Sequence, residues 1–448
     1  MSARSRRITG VLARHWLLGA LRSGLGLSPR RRAIFAHEWR VAFEELGPAF
    51  IKLGQLISVR PDEFGRELVA EMAAMQDSVP AIPASAIRAV IEGEFGRTPE
   101  QLFATFDDTP IASASIAQVH GATLAHDVRP VWGEVLPAGA QVVVKVVRPG
   151  AEAAMLADTA EAHLLVARWG GLLKGFDATK LIDEFEESVR RELDLRVEAK
   201  TADRFAFDFR EDEKIEVPRI VWNRTTRRVV TMERVIGWRL TDLDEAARAG
   251  IDSAALAMYG ATAFMRQVMV YGRYHADLHP ANLFVTPRNT IAYLDFGIVG
   301  HLTKDEREDI AQVLAGLAYR DPDRALRYSR RLGVNVPPDK VDAVRRELGV
   351  LLDSMFDPEG SKEFRHFGLG FIALLRRYGI EIPSGYGLLV KSLATVEGCA
   401  RSLNPDIDII DTARPFVTRL LSDSMGKPER LQGKVNAAIR AALRELVA

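Results

Sequence analysis

The chain has 448 residues, 47% hydrophobic and 27% charged, the composition of a globular protein with two or three domains and a large core. Sixty basic residues balance sixty acidic ones, so there is no net positive charge to draw nucleic acid, and nucleic acid is excluded as a partner. The single cysteine, Cys399, excludes an internal disulfide and fits a reducing, cytoplasmic compartment; it reads as a small buried hydrophobe.

The chain starts basic, with Arg4, Arg6, Arg7 and Arg14, and residues 8–27 are fairly apolar. Arg14 and Arg22 interrupt that run, which argues against a secretory signal. A solvated basic tail is the simpler reading. The alternative is an amphipathic helix on the inner face of a membrane, with Arg30, Arg31 and Arg32 meeting anionic headgroups. No apolar stretch reaches the ~18–20 residues needed to span a bilayer.

Residues 31–78 have apolar positions at three- and four-residue spacings and read as helical throughout. Ser78–Pro83 is a break, and 84–95 is a helix ended by Gly96. Residues 111–124 and 141–148 have strand patterns, parted by a Pro- and Gly-containing hairpin tip at 129–139. Helices follow at 150–170 and 179–207. Within the second, residues 182–200 read as one strongly acidic helix on which Asp194 and Glu198 share a face. Strands return at 216–222 and 227–235, joined by a turn at Asn223-Arg224-Thr225. From 253 the pattern is helical, ending in a charged helix at 427–448, except for two apolar runs. These are 283–285 and 291–294, separated by the polar TPRN, and they predict a β-hairpin.

The hairpin lies between the two most informative motifs. Residues 275–282 read HADLHPAN, with Asp277 five positions before Asn282, and Asp295-Phe296-Gly297 begins thirteen positions after Asn282. This is the spacing of a kinase catalytic loop and its DFG segment. In such a loop an Asp orients the nucleophile's hydroxyl, while an Asn and the DFG Asp hold Mg²⁺ on the phosphates of ATP. Asn282 and Asp295 offer the hard oxygen donors that Mg²⁺ prefers. Lys145, inside VVVKVV, sits where a kinase places the lysine that binds the α- and β-phosphates, and Glu198 is the carboxylate chosen to pair with it. The glycine-rich loop is replaced by IASASIAQVHG (111–121), where Ala112, Ser113, Ala114 and Ser115 stand for the glycines. Small side chains still let backbone approach phosphate, but alanine takes positive φ less freely, so the loop should be stiffer. In VVTMERV (229–235) the segment ending at Met232 and Glu233 is the candidate adenine-binding connection, with Thr231 near the pocket. Each feature has a plainer alternative. The hairpin could carry only capping residues, Lys145 could snorkel from a strand edge, the small residues could be an ordinary turn, and the acidic helix could be a solvated face. On that last reading Glu187 pairs with Arg191, Glu192 with Arg196 and Arg190 with Asp194. Together the motifs predict an α+β, protein-kinase-like bilobal fold. A helical extension (1–100) precedes an N-lobe (101–235) and a largely helical C-lobe (236–448).

These residues resemble the AarF/UbiB family of atypical protein-kinase-like proteins, bacterial relatives of the mitochondrial coenzyme-Q kinases. The resemblance spans roughly 40–410. It includes a KxGQ signature at Lys52-Leu53-Gly54-Gln55, the alanine-rich loop, an ExD motif at Glu192-Leu193-Asp194 with Glu198 after it, HADLHPAN, and GLLVKSLATVEGCARSLNPD (387–406). It implies ATP and Mg²⁺ as cofactors and ATPase or kinase activity. It also implies a link to quinone or isoprenoid-lipid metabolism, with a lipid or quinone-precursor ligand. In the family the KxGQ helices cover the active site, so Lys52 and Gln55 would face Glu192 and Asp194 and exclude protein substrates. The chain departs from the pattern in having Ala281 before the catalytic Asn, no APE motif, and no paired C-terminal transmembrane helices. Two other readings remain: a small-molecule kinase of the aminoglycoside or choline kinase type, and a nucleotide-binding scaffold without turnover.

Overall fold

The computed structural model describes residues 2–23, 29–58, 60, 64–75, 79–169, 177–240, 242, 250–355, 370–371, 373–375, 377–380, 383–405, 407 and 409–425. The expected helix at 427–448 lies outside them. The chain divides into two compact units, one formed by Met1–Thr241 with Ala281–Ile298, the other by Asp242–Pro280 with Val299–Ala448.

The first unit begins with helices α1 (Ala3–Ser23), α2 (Pro29–Leu46), α3 (Pro48–Ser58) and α4 (Arg66–Ala73). The single helical run expected over 31–78 is therefore corrected. Gly47, at φ 99°, reverses the chain between α2 and α3 in a conformation that suits glycine, and Pro48 opens α3 where no backbone N–H is needed. The simpler reading of the N-terminus is corrected as well. It is a packed helix rather than a solvated tail, with Ile8 and Val11 buried. Arg4 pairs with Asp158, Arg14 with Glu45 and Arg22 with Glu38, and His15 Nδ1 lies 2.7 Å from Glu38.

After α5 (Ala84–Phe95), capped by Gly96 at φ 64°, and α6 (Pro99–Leu102) comes an antiparallel sheet. Its strands are β1 (Phe103–Ser113), β2 (Ala117–Leu124), β3 (Gln141–Val147) and, past three helices, β5 (Val229–Glu233), in the order β1-β2-β3-β5. One face packs Val142, Val144 and Val146 of β3 with Ile87, Ile91, Phe103 and Leu124 in a closed apolar cluster. The expected hairpin tip at 129–139 is pinned by a bridge between Val128 and Leu136, both buried in that cluster.

Helices α7 (Ala151–Trp169), α8 (Ala178–Glu192) and α9 (Leu195–Asp208) lie between β3 and β5. A second sheet has the order β4-β9-β8-β6, from Ile215–Glu216, Thr290–Tyr293, Leu283–Thr286 and Trp238–Arg239. The predicted β8–β9 hairpin is present, with Leu283 opposite Tyr293 and Thr286 opposite Thr290; Asn289 in its turn takes φ 56°. Gly237, just before β6, packs against β8 so closely that a Cβ there would lie 2.3 Å from the Val285 carbonyl oxygen.

The second unit contains α10 (Ser253–Arg266), α11 (Lys304–Ala318), α12 (Pro322–Arg331), α13 (Val341–Met355), α14 (Ser384–Leu403) and α15 (Ile409–Met425). Asp252 caps α10, and a Thr303–Glu306 capping box opens α11. A short antiparallel pair absent from the sequence reading, β7 (Arg273–His275) with β10 (Val299–His301), leads into the HADLHPAN loop. Among the described residues no helix is long and apolar enough to cross a membrane.

Candidate active site

Alternation along β3 sends Val142, Val144 and Val146 into the core and leaves Lys145 on the opposite face. There its Nζ lies 3.0 Å and 2.8 Å from the two carboxylate oxygens of Glu198, in the first turn of α9. Burial opposes the lysine's charge, but Glu198, Asp295 and Glu192 outweigh it and raise its pKa. Glu198 is also raised, by burial first. Lys145 pulls it back down, while Asp295 and Glu192 push it up again. Three carboxylates, Glu198, Asp295 and Glu192, thus bear on the one lysine.

The ExD motif straddles a break between helices, which corrects the single helix expected over 182–200. Glu192 is the last residue of α8, Leu193 closes it, and Asp194 is the N-cap of α9 at φ −112° and ψ 90°. Asp194 therefore does not share a helical face with Glu198. It accepts from the Arg196 backbone N–H at 3.1 Å and from the Arg196 guanidinium at 2.8 Å and 2.7 Å, and those bonds hold its pKa down. The pairs of the plainer reading change with it. Arg196 binds Asp194 rather than Glu192, and Arg190 binds Glu186 rather than Asp194; the Glu187–Arg191 pair is present at 3.9 Å.

Glu192 pairs with Lys52 of α3, both side chains largely buried. A second ion pair, Arg60 with Glu184, fastens the end of the same segment to α8. Sequence inspection missed Arg60; a buried arginine 124 residues from its partner leaves no local signal. Gln55 is half-buried, and its carbonyl accepts the Ser58 hydroxyl at 2.7 Å. Gly54 has a packing reason. A Cβ there would lie 1.8 Å from Met75 Cε and 2.9 Å from Met72 Sδ, both buried side chains.

Lys52→Ala should lower unfolding free energy by ~1–3 kcal/mol, because it leaves a partly buried carboxylate without this cation. In a double-mutant cycle with Glu192→Gln, measured by denaturant unfolding, the pair should lose less than the sum of the singles. Strict additivity would mean that the two side chains do not meet.

The alanine-rich loop closes through the Ala114 N–H, which donates to the Ala117 carbonyl at 2.9 Å. None of Ala112, Ser113, Ala114 and Ser115 adopts positive φ. The Ser113 hydroxyl accepts from Arg148 at 3.0 Å and Ser115 is buried, so the loop is held by its own surroundings. In β5 the Thr231 hydroxyl donates to the Arg224 carbonyl at 2.8 Å. Met232 is half-buried opposite Val143, and the Glu233 carboxylate pairs with Arg219, the Nε contact being 2.8 Å. The backbone here is engaged as well: the Thr231 carbonyl accepts from the Val221 N–H and the Glu233 N–H donates to the Arg219 carbonyl, each at 2.9 Å.

The hairpin brings the expected metal ligands together along the backbone. The Leu294 N–H, next to Asp295, donates to the Asn282 carbonyl at 2.9 Å. Asp295 takes φ 55°, a left-handed conformation costly for most side chains but tolerated by Asp, and its Oδ1 accepts from the Gly297 N–H at 3.2 Å. Phe296 is buried against Phe205 of α9, ring centroids 5.1 Å apart, so the helix that carries Glu198 also seats the DFG segment. Among the described residues no three His, Cys, Asp or Glu side chains converge to hold a metal on their own. The side-chain oxygens of Asn282 and Asp295 are donors of the kind that suits Mg²⁺, which commonly relies on water and phosphate for its other ligands.

Asp277 belongs to the second unit. Its backbone N–H donates to His275 Nδ1 at 3.2 Å, and its carboxylate lies 3.8 Å from Lys391 Nζ and 4.0 Å from His279 Nε2. Lys391 was not singled out from the sequence. Cys399, also in this unit, is buried, which pushes its thiol up to about 11 and leaves it unreactive.

The ABC1 atypical kinase-like domain matches residues 74–329. The chain belongs to the ABC1/UbiB family. The UbiB helical domain matches residues 369–408, which include α14. A probable protein kinase UbiB of Marinobacter nauticus is 33% identical over 408 residues, covering 89% of this chain and 72% of the relative. The probable protein kinase UbiB of Aeromonas hydrophila is 33% identical over 433 residues, covering 95% and 76%. An uncharacterized Synechocystis protein is 31% identical over 431 residues, covering 93% and 71%. Among solved structures, Rv3197 of Mycobacterium tuberculosis, determined in complex with erythromycin, matches with a TM-score of 0.54. The match is 24% identical and covers 83% of this chain and 92% of that one. At that identity the likeness speaks for the fold alone, and the fold of this ABC1/UbiB chain is kinase-like and α+β.

Proposed function

We propose that this ABC1/UbiB chain is an ATP- and Mg²⁺-dependent phosphotransferase or ATPase acting in quinone or isoprenoid-lipid metabolism. The observation that carries the proposal is the Lys145–Glu198 ion pair, set among carboxylates that include Asp295. Phosphoryl transfer asks little covalent chemistry of a protein. It asks for fixed charge and positioning. Lys145 would bind the α- and β-phosphates, held in place by Glu198. Asn282 and Asp295 would hold Mg²⁺, whose contribution is to neutralise charge on the phosphate oxygens. Asp277 would orient the attacking hydroxyl or water and accept its proton. Lys52 and Gln55, on a segment clamped to α8 by two ion pairs, would keep protein substrates out, as the family resemblance implies.

A lipid or quinone-precursor ligand fits the same reading. So does peripheral contact with a membrane, because α1 exposes Trp16, Leu17 and Leu21 near Arg14 and Arg22. The test is steady-state phosphate release from Mg-ATP, with and without detergent and a phenolic isoprenoid mimic. The expected result is Mg²⁺-dependent release that the mimic stimulates. Release that the mimic and detergent leave unchanged would count against the lipid part, and no release against the activity.

A further inference from the structure

Helix α14 is tied to residues 274, 276 and 278, every second residue leading into and through the start of HADLHPAN. The Tyr274 hydroxyl donates to the Gly385 carbonyl at 3.1 Å. The Ser392 hydroxyl lies 3.2 Å from the Ala276 carbonyl and 2.8 Å from that of Leu388. Cys399 Sγ lies 3.7 Å from the Leu278 carbonyl. Between those anchor points stand His275 and Asp277. His275 is fully buried, fixed through its N–H to Gln267 Oε1 at 2.9 Å, and its Nδ1 accepts from the Asp277 N–H. The Asp277 backbone is thus held from both sides. Lys391 is the residue before Ser392, and its Nζ lies 3.8 Å from Asp277 Oδ1; His279 Nε2 lies 4.0 Å from Oδ2.

We propose that Lys391 is a positioning residue for Asp277. Its ammonium, 3.8 Å from Oδ1 on a helix turn already tied to the loop, favours the rotamer in which the carboxylate meets the nucleophile's proton. The inference rests on the proposed phosphotransfer activity and gives the α14 segment of the UbiB helical domain a task in it. A carboxylate on a short side chain has two equivalent oxygens and a soft χ2, so the backbone alone does not aim it. Misplacing such a group by about an ångström costs up to ~100-fold in rate.

The test compares wild type, Lys391→Met and Lys391→Arg by steady-state phosphate release from Mg-ATP. The lysine side chain is 39% exposed, so the methionine variant leaves no fully buried charge behind. Lys391→Met should lower kcat by ~10–100-fold with KM for Mg-ATP within about twofold, and Lys391→Arg should recover most of the loss. A purely structural part for Lys391 would not give that split or that rescue. A Lys391→Met rate equal to wild type, or an arginine variant as slow as the methionine one, would overturn the inference while the phosphotransfer reading stands. A wild-type chain with no release would overturn both.

Discussion

Asp277→Asn should cut phosphate release from Mg-ATP by ~10²–10⁴-fold, the usual contribution of a positioned general base. Affinity for Mg-ATP should stay within a few-fold of wild type. Asparagine keeps the size and most of the hydrogen bonding of the native side chain, so the loop, held by Ser392 and by His275, has no reason to move. What it loses is a site that accepts a proton and a charge opposite Lys391. Release measured at saturating Mg-ATP reads the first effect, and the titrated affinity reads the second. A wild-type rate would remove Asp277 from the chemistry. A collapse of affinity would move it to the phosphates.

Asp295→Asn should abolish most Mg²⁺-dependent nucleotide binding. The substitution isolates charge from shape, because asparagine tolerates the φ of 55° found here and its side-chain oxygen can still accept from the Gly297 N–H. With Mg-ATP at ~100 times Kd, the wild type gains ~2.7 kcal/mol of stability by mass action. Weakened ~100-fold, the variant would gain only ~0.4 kcal/mol at the same concentration. Thermal denaturation with and without Mg-ATP measures the difference. Equal stabilisation of both proteins would show that Asp295 holds no metal.

Much of this arrangement was legible because the chemistry is written in short spacings. The β8–β9 hairpin follows from two apolar runs around TPRN, and β3 from five valines around one lysine. Pairing of Lys145 with Glu198, and of Lys52 with Glu192, was also anticipated. The corner inside the ExD motif was not. Residues 182–200 keep a helical apolar period straight through it, and the only local sign is Asp194, an N-cap residue type just before Leu195. The first half of β1 was missed for a different reason. Its burial along FATFDDTPIAS is mostly exposed on both faces, so no alternation announces a strand. The pair β7–β10 is three residues deep on each side and gives no periodic signal. Arg60 and Lys391 acquire partners only through tertiary packing, 124 and 114 residues away in sequence. A charged side chain looks the same in sequence whether it is solvated or paired.

The central claim is that Lys145, Glu198 and Asp295 form a Mg-nucleotide site. Isothermal titration of ATP into the wild-type chain and into Lys145→Met, each with magnesium and with a chelator, tests it most directly. The account predicts one site in the wild type, dependent on magnesium and lost or weakened at least ~10-fold in the variant. Binding of equal strength in the variant, or in the wild type without magnesium, would contradict it.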